Sequence, residues 1–374
     1  MSGATLGFGI VGCGVIGPTH AAAIASLPDA QLVAVADVDE ARARVLAEKY
    51  GATPYTDLQT MLDRDDLDIV NVCTPSGLHG EHACAAMRSG RHVVVEKPME
   101  ITLPAIKEML RAQKAAGVKL AVISQHRFDE ASQHVHRLVA EGAFGRLVLG
   151  SAHVPWWRAQ AYYDSGTWRG SWALDDGGVL MNQSIHSIDI LQWLMGPVRS
   201  VYAYTGTLVH SMETEDVAVA VLRFASGALG TIAATTGAYP GVTTRIDVLG
   251  DKGSAIIEDD RLGFLHLARD DRDEVGAYGK GAQDRRGIVG TAPTDQEALG
   301  AATPDPVGAS GGRGTAADPG ALQASVHALQ IADMMRAIRE NGTPLVDGEA
   351  GRRPVETILA IYESARTGRE AAAP

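Results

Sequence analysis

Cysteine is scarce in this chain. Cys13, Cys73 and Cys84 are the only three among 374 residues. An odd number without paired spacing fits neither a disulfide scaffold nor a zinc site, so they read as small hydrophobes of a reducing cytoplasm, and no metal is expected. An excess of positive charge is also absent: 33 basic residues against 45 acidic ones leave −12. That balance argues against nucleic acid or an anionic membrane as a partner. No run of about 18 apolar residues is available for a membrane span. The first residues, MSGATLGFGIVG, have neither the basic region nor the apolar stretch of a secretory signal. A cytoplasmic protein is expected. Aromatic residues make up only 5%, yet all five tryptophans fall between Trp156 and Trp193.

What is present is a length suited to about two domains and a change of pattern along the chain. Up to Ser124, short apolar runs (LGFGIVG, QLVAVAD, LDIVNVCT, HVVVEKP, KLAVIS) alternate with helical stretches over 39–50, 79–89 and 103–116. The runs are continuously apolar, as strands of a parallel sheet are when helices cover both faces. The fold class is therefore α/β, with a doubly wound N-terminal sheet over 1–124. From 125 to 374 the reading is an α+β domain. LVLGSAHV, VRSVYAYTGTL, DVAVAVLRF, ALGTIAATT, TRIDVLG and SAIIED predict an open, mostly antiparallel sheet, with a hairpin turn at Ser226-Gly227. Residues 275–320, rich in Gly, Ala, Pro and Asp, read as a long loop, either a lid or partly disordered. Helices are expected near 322–340 and from Pro354 to Thr367.

Gly12 to Gly17 spell GCGVIG, a G-x-G-x-x-G placed after an apolar strand and opening a helix. In that setting Gly12 permits the tight turn, Gly14 and the loop around Ile16 let backbone approach a pyrophosphate, and Gly17 allows close helix–strand packing. The next strand ends in Asp37, whose carboxylate suits ribose hydroxyls and repels a 2′-phosphate. NAD is expected over NADP. CTPSGLH places Thr74, Pro75 and His79 at the carboxyl edge of the same sheet, where ribose or nicotinamide would lie; a plain turn is the competing reading for His79.

Glu96, Lys97 and Pro98 follow a buried strand at that edge. A lysine there can hold a substrate hydroxyl or move a proton. Glu96 would touch the nicotinamide ribose or balance Lys97, and Lys97-Pro98 is the place for a cis peptide. GGVLMNQSIHSIDILQWLMG, residues 177–196, is an apolar helix with a polar stripe. At about 3.6 residues per turn, Asn182, His186, Asp189 and Trp193 share one face, expected to form a cavity wall. A histidine ordinarily titrates near neutrality, so His186 suits a general base; Asp189 is expected to be structural. The rings of the Trp-rich stretch suit either the apolar faces of a sugar or an interdomain core. Arg158 or Arg169 can bind hydroxyls, a carboxylate or a phosphate, and Gln125, His126 and Arg127 are expected to edge the same crevice.

The Gly loop, Asp37, the TPxxxxH element, EKP and the GGxLMNQxIHxID helix together resemble the glucose–fructose oxidoreductase/inositol dehydrogenase (Gfo/Idh/MocA) family. The resemblance covers nearly the whole chain. It implies a Rossmann domain followed by an α/β domain whose open sheet mediates a homodimer or homotetramer. It also implies NAD(P)-dependent oxidation of a secondary alcohol, on a sugar, glycoside, sugar nucleotide or cyclitol, with the EKP lysine as Lys97, the helix histidine as His186, and Tyr163, Trp168 and Arg169 lining the substrate pocket. The family's usual aspartate is Asn182 here, and an amide takes no proton. The MNQxIH wording is similar to that of sugar-nucleotide dehydrogenases. NAD-assisted glycoside cleavage and a non-catalytic NAD-sensing regulator are the alternatives that the fold allows.

Overall fold

The computed structural model describes residues 4–166, 169–172, 177–268 and 324–373; the expected loop over 275–320 and Trp168 lie outside them. Strands β1 (Leu6–Val11), β2 (Ala30–Ala36), β3 (Thr53–Tyr55), β4 (Ile69–Val72), β5 (His92–Val95) and β6 (Leu120–Val122) form the first sheet, in the order β3-β2-β1-β4-β5-β6. Every pairing is parallel. The order reverses between β1 and β4, and a doubly wound sheet opens a crevice at such a switch point. Helices α1 (Gly17–Ala25), α2 (Glu40–Tyr50), α3 (Leu58–Leu62), α4 (His79–Arg88) and α5 (Leu103–Ala116) connect the strands. Their ends follow from local chemistry. Asp39 caps α2 by accepting from Ala41 N and Arg42 N, and Gly51 closes it in the left-handed region. β3 and α3, only three and five residues long, are too short for periodicity to show.

After α6 (Glu130–Ala140), a second sheet is built from β7 (Leu147–Pro155), β8 (Val198–Gly206), β9 (Val217–Phe224), β10 (Leu229–Thr235), β11 (Arg245–Gly250), β12 (Gly253–Glu258), β13 (Arg261–Leu267) and β14 (Ala371–Ala372). Its order is β13-β12-β11-β7-β10-β9-β8-β14. Only β7–β10 is parallel, which is the open, mostly antiparallel sheet expected. One face is covered by α8 (Ile185–Met195) and by the last helix (Gly348–Thr367); α7 (Gln160–Asp164) is a single short turn. Among the described residues, no helix covers the other face. On it Tyr204 lies beside Val219, and Val221 beside Thr231, with Tyr204 70% and Val219 51% exposed.

The chain then returns to the first sheet. Helix α9 (Ala324–Arg339) packs on α1, and its Ala328, Ile331, Met334 and Met335 join the apolar layer of Phe8, Ile10, Ile24 and Val94. The last helix, α10, begins at Gly348, not at Pro354. Asp347 caps it by accepting from Ala350 N, and Pro354 is carried inside the helix among buried residues. A cap seven residues upstream of Pro354 outweighs the preference of proline for a first turn.

Candidate active site

The crevice beside the β1–β4 switch opens into a cleft of about 1450 Å³ that runs from the first sheet to α8. That exceeds the ~300–1,000 Å³ of an ordinary small-ligand pocket and gives room for two ligands end to end. At one end lie Gly12, Gly14, Ile16, Asp37, Thr74 and Pro75; at the other lie Lys97, Arg169, Asn182 and His186. Gly12 has φ +96, and a Cβ there would meet the Cys73 carbonyl oxygen at 2.5 Å. A Cβ on Gly14 would meet nothing within 4 Å, so the space beside that backbone is open, as a pyrophosphate needs. Gly17 does not line the cleft. Its missing Cβ would stand 2.4 Å from the Gly12 carbonyl oxygen, so it closes the turn onto the helix. The Asp37 carboxylate accepts from Cys13 N (2.7 Å) and Asp39 N (2.8 Å), which fixes it at the cleft rim. Burial pushes the Cys13 thiol up to about 12, with Asp37 adding to it, so it stays a thiol.

Two residues of the cleft, His79 and Glu96, carry further bonds, and two expectations need correction. The His79 ring nitrogens lie 2.7 Å from Pro98 O and 2.8 Å from Thr74 O, tying the turn after β4 to the turn after β5. Glu96 turns inward. Its Oε1 accepts from His20 Nε2 (2.8 Å), with His327 Nε2 at 3.5 Å, and its Oε2 accepts from Lys97 N (3.0 Å). Although burial works the other way, those two imidazoles hold the Glu96 carboxyl well below its usual range. Tyr163 is buried, with its hydroxyl 2.8 Å from Thr236 Oγ1. Its neighbour Tyr162 lines the cleft instead, because successive residues of a helical turn point about 100° apart. The polar stripe, finally, is not one wall. Residues Val179–Ser184 form a π-helical turn before the α-helix begins, and only Asn182 and His186 reach the cleft. Asp189 is buried against Arg127, and Trp193 stacks on His136 with ring centroids 3.9 Å apart.

The reactive end is tightly organised. Lys97, joined to Pro98 by a cis peptide, donates from Nζ to the Asn182 backbone oxygen (2.7 Å). This fastens the end of β5 to the π-helical turn. Burial lowers the His186 pKa well below its ordinary value, and the neighbouring His126 and Lys97 charges lower it further. His186 is therefore a neutral imidazole, the form that accepts a proton. On the far wall, Arg158 donates to Gln183 Oε1 (2.9 Å), Gln183 to the Tyr162 hydroxyl (3.0 Å), and Arg169 to the same hydroxyl (2.7 Å). Such a polar, aromatic wall suits a polyhydroxylated ligand.

His20, Asn71 and His327 had no signal in the sequence. They converge under Glu96 from α1, β4 and α9, and nothing in local pattern links them. The donor atoms of His20, Glu96 and His327 stand within reach of a common point. Asn71 Nδ2 donates to His20 Nδ1 (2.8 Å), however, which leaves the His20 Nε2–H to donate to Glu96. The cluster is a hydrogen-bonded support for EKP.

The fold and the cleft define a two-domain oxidoreductase with an NAD-binding Rossmann domain. The family of oxidoreductases with an NAD-binding Rossmann fold matches residues 6–124, and the GFO/IDH/MocA C-terminal domain matches residues 132–256. The chain belongs to the Gfo/Idh/MocA family. It is similar to the myo-inositol 2-dehydrogenase of Thermotoga maritima, 31% identical over 276 residues that cover 72% of this chain and 80% of that one. The D-glucoside 3-dehydrogenase of Escherichia coli is 33% identical over 55% of this chain and 59% of its own. Among solved structures, the WlbA dehydrogenase from Bordetella pertussis, in complex with NADH and UDP-GlcNAcA, superimposes with a TM-score of 0.80 at 33% identity, covering 99% of both chains. No helix among the described residues is long and apolar enough to cross a membrane.

Proposed function

We propose that the protein uses NAD to oxidise, or reversibly reduce, a ring secondary alcohol of a carbohydrate: a sugar, glycoside, sugar nucleotide or cyclitol. The observation that carries this is the meeting of Lys97 and a neutral His186 at the end of the cleft opposite Asp37. NAD, when bound with its pyrophosphate at the Gly loop, supplies the hydride acceptor. Lys97 then holds the substrate hydroxyl and stabilises its oxygen as the proton leaves, and His186 takes that proton. Asn182 adds a hydrogen bond but no proton transfer. Asp37 favours NAD over NADP. Sugar nucleotides are the first class to test, because the WlbA structure, alike over 99% of both chains, holds UDP-GlcNAcA. The second-sheet face that carries Tyr204 and Val219 supports a homodimer or homotetramer.

The test is a screen with NAD against free sugars, glycosides, cyclitols and UDP-sugars, following NADH absorbance. On the substrate found, Lys97→Met and His186→Ala should each lower kcat by about 10²–10⁴-fold while leaving NADH binding near the wild-type value. Full turnover by His186→Ala would remove it as the base, and the absence of NADH formation with every class would overturn the reading.

A further inference from the structure

A helix leaves its first amides without partners of its own, and the π-helical turn Val179–Ser184 has no side-chain cap at Gly178. One residue takes those amides instead. Glu215, just before β9, accepts from Gly178 N with Oε2 (3.0 Å), from Val179 N with its backbone oxygen (2.9 Å) and from Leu180 N with Oε1 (2.9 Å). The paired glycines before the turn allow this close approach. A Cβ on Gly178 would stand 1.8 Å from the Glu215 backbone oxygen, and one on Gly177 would stand 2.2 Å from the Tyr362 hydroxyl. That hydroxyl, on α10, donates to the same Oε1 (3.0 Å). Glu215 itself is buried. From this anchored start the turn carries Asn182, whose backbone oxygen receives Lys97 Nζ (2.7 Å). It then leads directly into α8, where His186 is the second residue.

We propose that Glu215 is a positioning residue: by gripping the start of the π-helical turn it sets where the Asn182 carbonyl holds the Lys97 ammonium, and thereby how Lys97 and His186 align on the substrate hydroxyl. The inference rests on the alcohol oxidation proposed above. Lys97 follows β5 of the first sheet and Glu215 precedes β9 of the second, so the turn is held between the two sheets. A shift of the Asn182 oxygen by about 1 Å away from Nζ would break that bond. The grip is firmest when the carboxyl is ionised. A carboxylate accepts from both amides and from Tyr362, whereas the neutral acid turns one of its oxygens into a donor. Burial pushes this carboxyl up to about 7, against the pull of the amides and the Tyr362 hydroxyl. The alignment therefore holds above that pH and loosens below it. Tyr362 faces Glu215 from α10. Asp216 turns its carboxylate to the amides of Leu208, Val209 and His210, and Glu213 turns its own to Trp172 N. The π-turn and β10 carry no ionisable side chain, α8 carries His186 and Asp189, and β9 carries Arg223 near its far end.

Two measurements test this. With substrate, Glu215→Gln should lower kcat and kcat/KM equally, by about 10- to 100-fold, and leave NADH affinity unchanged. The wild type should lose kcat as pH drops through about 7, and Glu215→Gln should lack that fall. Tyr362→Phe keeps the carboxylate on both amides but removes a donor to it. It should keep most of kcat at high pH and move the midpoint of the fall upward, because losing a hydrogen bond to the charged form raises a carboxyl. A merely structural role would move no midpoint. Without substrate, carbon-13 NMR of the lysine-labelled NADH complex reads the Lys97 Cε signal, assigned with Lys97→Met. That signal should titrate with the same midpoint in the wild type, follow it upward in Tyr362→Phe, and show no such step in Glu215→Gln. A wild-type Lys97 signal without that step, a midpoint that Tyr362→Phe leaves in place, or full kcat in Glu215→Gln would overturn the proposal. Should Glu215→Gln not fold, Tyr362→Phe still decides it. The NMR arm needs no turnover, so failure of the positioning and failure of the function stay distinguishable.

Discussion

Replacing Asp189 by Asn should destabilise the protein by about 3–5 kcal/mol, the cost of breaking a buried pair by removing one partner. Both carboxylate oxygens are engaged. Oδ2 accepts from Arg127 Nε at 2.7 Å and from the Ser124 hydroxyl, and Oδ1 accepts from Arg127 Nη2 at 2.6 Å. The Arg127 and Asp189 side chains are only 6% and 4% exposed. An asparagine keeps one acceptor and turns an NH2 toward the guanidinium, leaving a buried cation uncompensated. The loss is a large share of the ~5–15 kcal/mol that holds a typical protein folded. Ser124→Ala should cost less, about 1.5–3 kcal/mol for one bond to a charged group. Urea denaturation followed by tryptophan fluorescence reads both. The informative comparison is Arg127→Met with Asp189→Leu, which removes both charges. It should be more stable than Asp189→Asn alone, because buried pairs contribute little net stability against apolar groups of similar volume. A loss under about 1 kcal/mol for Asp189→Asn, or a double variant less stable than the single, would refute this reasoning.

Three further outcomes are expected. Burial pushes the Glu215 carboxyl up to about 7 against the pull of the Gly178 and Leu180 amides and the Tyr362 hydroxyl. A carboxyl raised on folding stabilises when protonated, so stability should fall as pH rises from about 4.5 to about 7, by roughly 3 kcal/mol, and Glu215→Gln should flatten that slope in melts across the range. Asp37→Ser should raise kcat/KM with NADP relative to NAD at least tenfold, because Arg42, which lines the same end of the cleft, then faces a 2′-phosphate without a competing carboxylate; an unchanged ratio would count against Asp37 as the discriminator. Val219→Lys with Tyr204→Glu on the second sheet should lower the molar mass seen by light scattering, whereas an unaltered mass would place any association elsewhere.

The sheets were legible because burial leaves its period in the sequence. β9 alternates buried and exposed from Ala218 to Phe224, and the first-sheet strands are apolar throughout because helices cover both faces. Lys97, Asn182 and His186 could be found because each sits at a strand end or a helix start whose neighbours announce it. His79 and Glu96 line the cleft, but the partners they bond were not legible in the sequence. Position along the chain brings a polar side chain to the cleft edge but does not say which of two directions it turns, and both turn toward partners distant in sequence. The stripe from Asn182 to Trp193 divides because six residues at its start take a wider π-turn, which local pattern does not encode. The contact of His126 with Asp129 and Asp260 spans a hairpin and a helix start, so only the tertiary structure could reveal it.

Helix α9 lies on α1 although more than three hundred residues separate their starts. The dinucleotide-binding lobe is thus completed by a segment from late in the chain, before the last helix and β14 return to the second sheet. Cutting the gene after Ser124 would strip Ala328, Ile331, Met334 and Met335 from the layer they complete and leave that face wet. A self-sufficient cofactor module would have to be assembled by grafting 324–339 back onto 4–124, an excision from the middle of the chain.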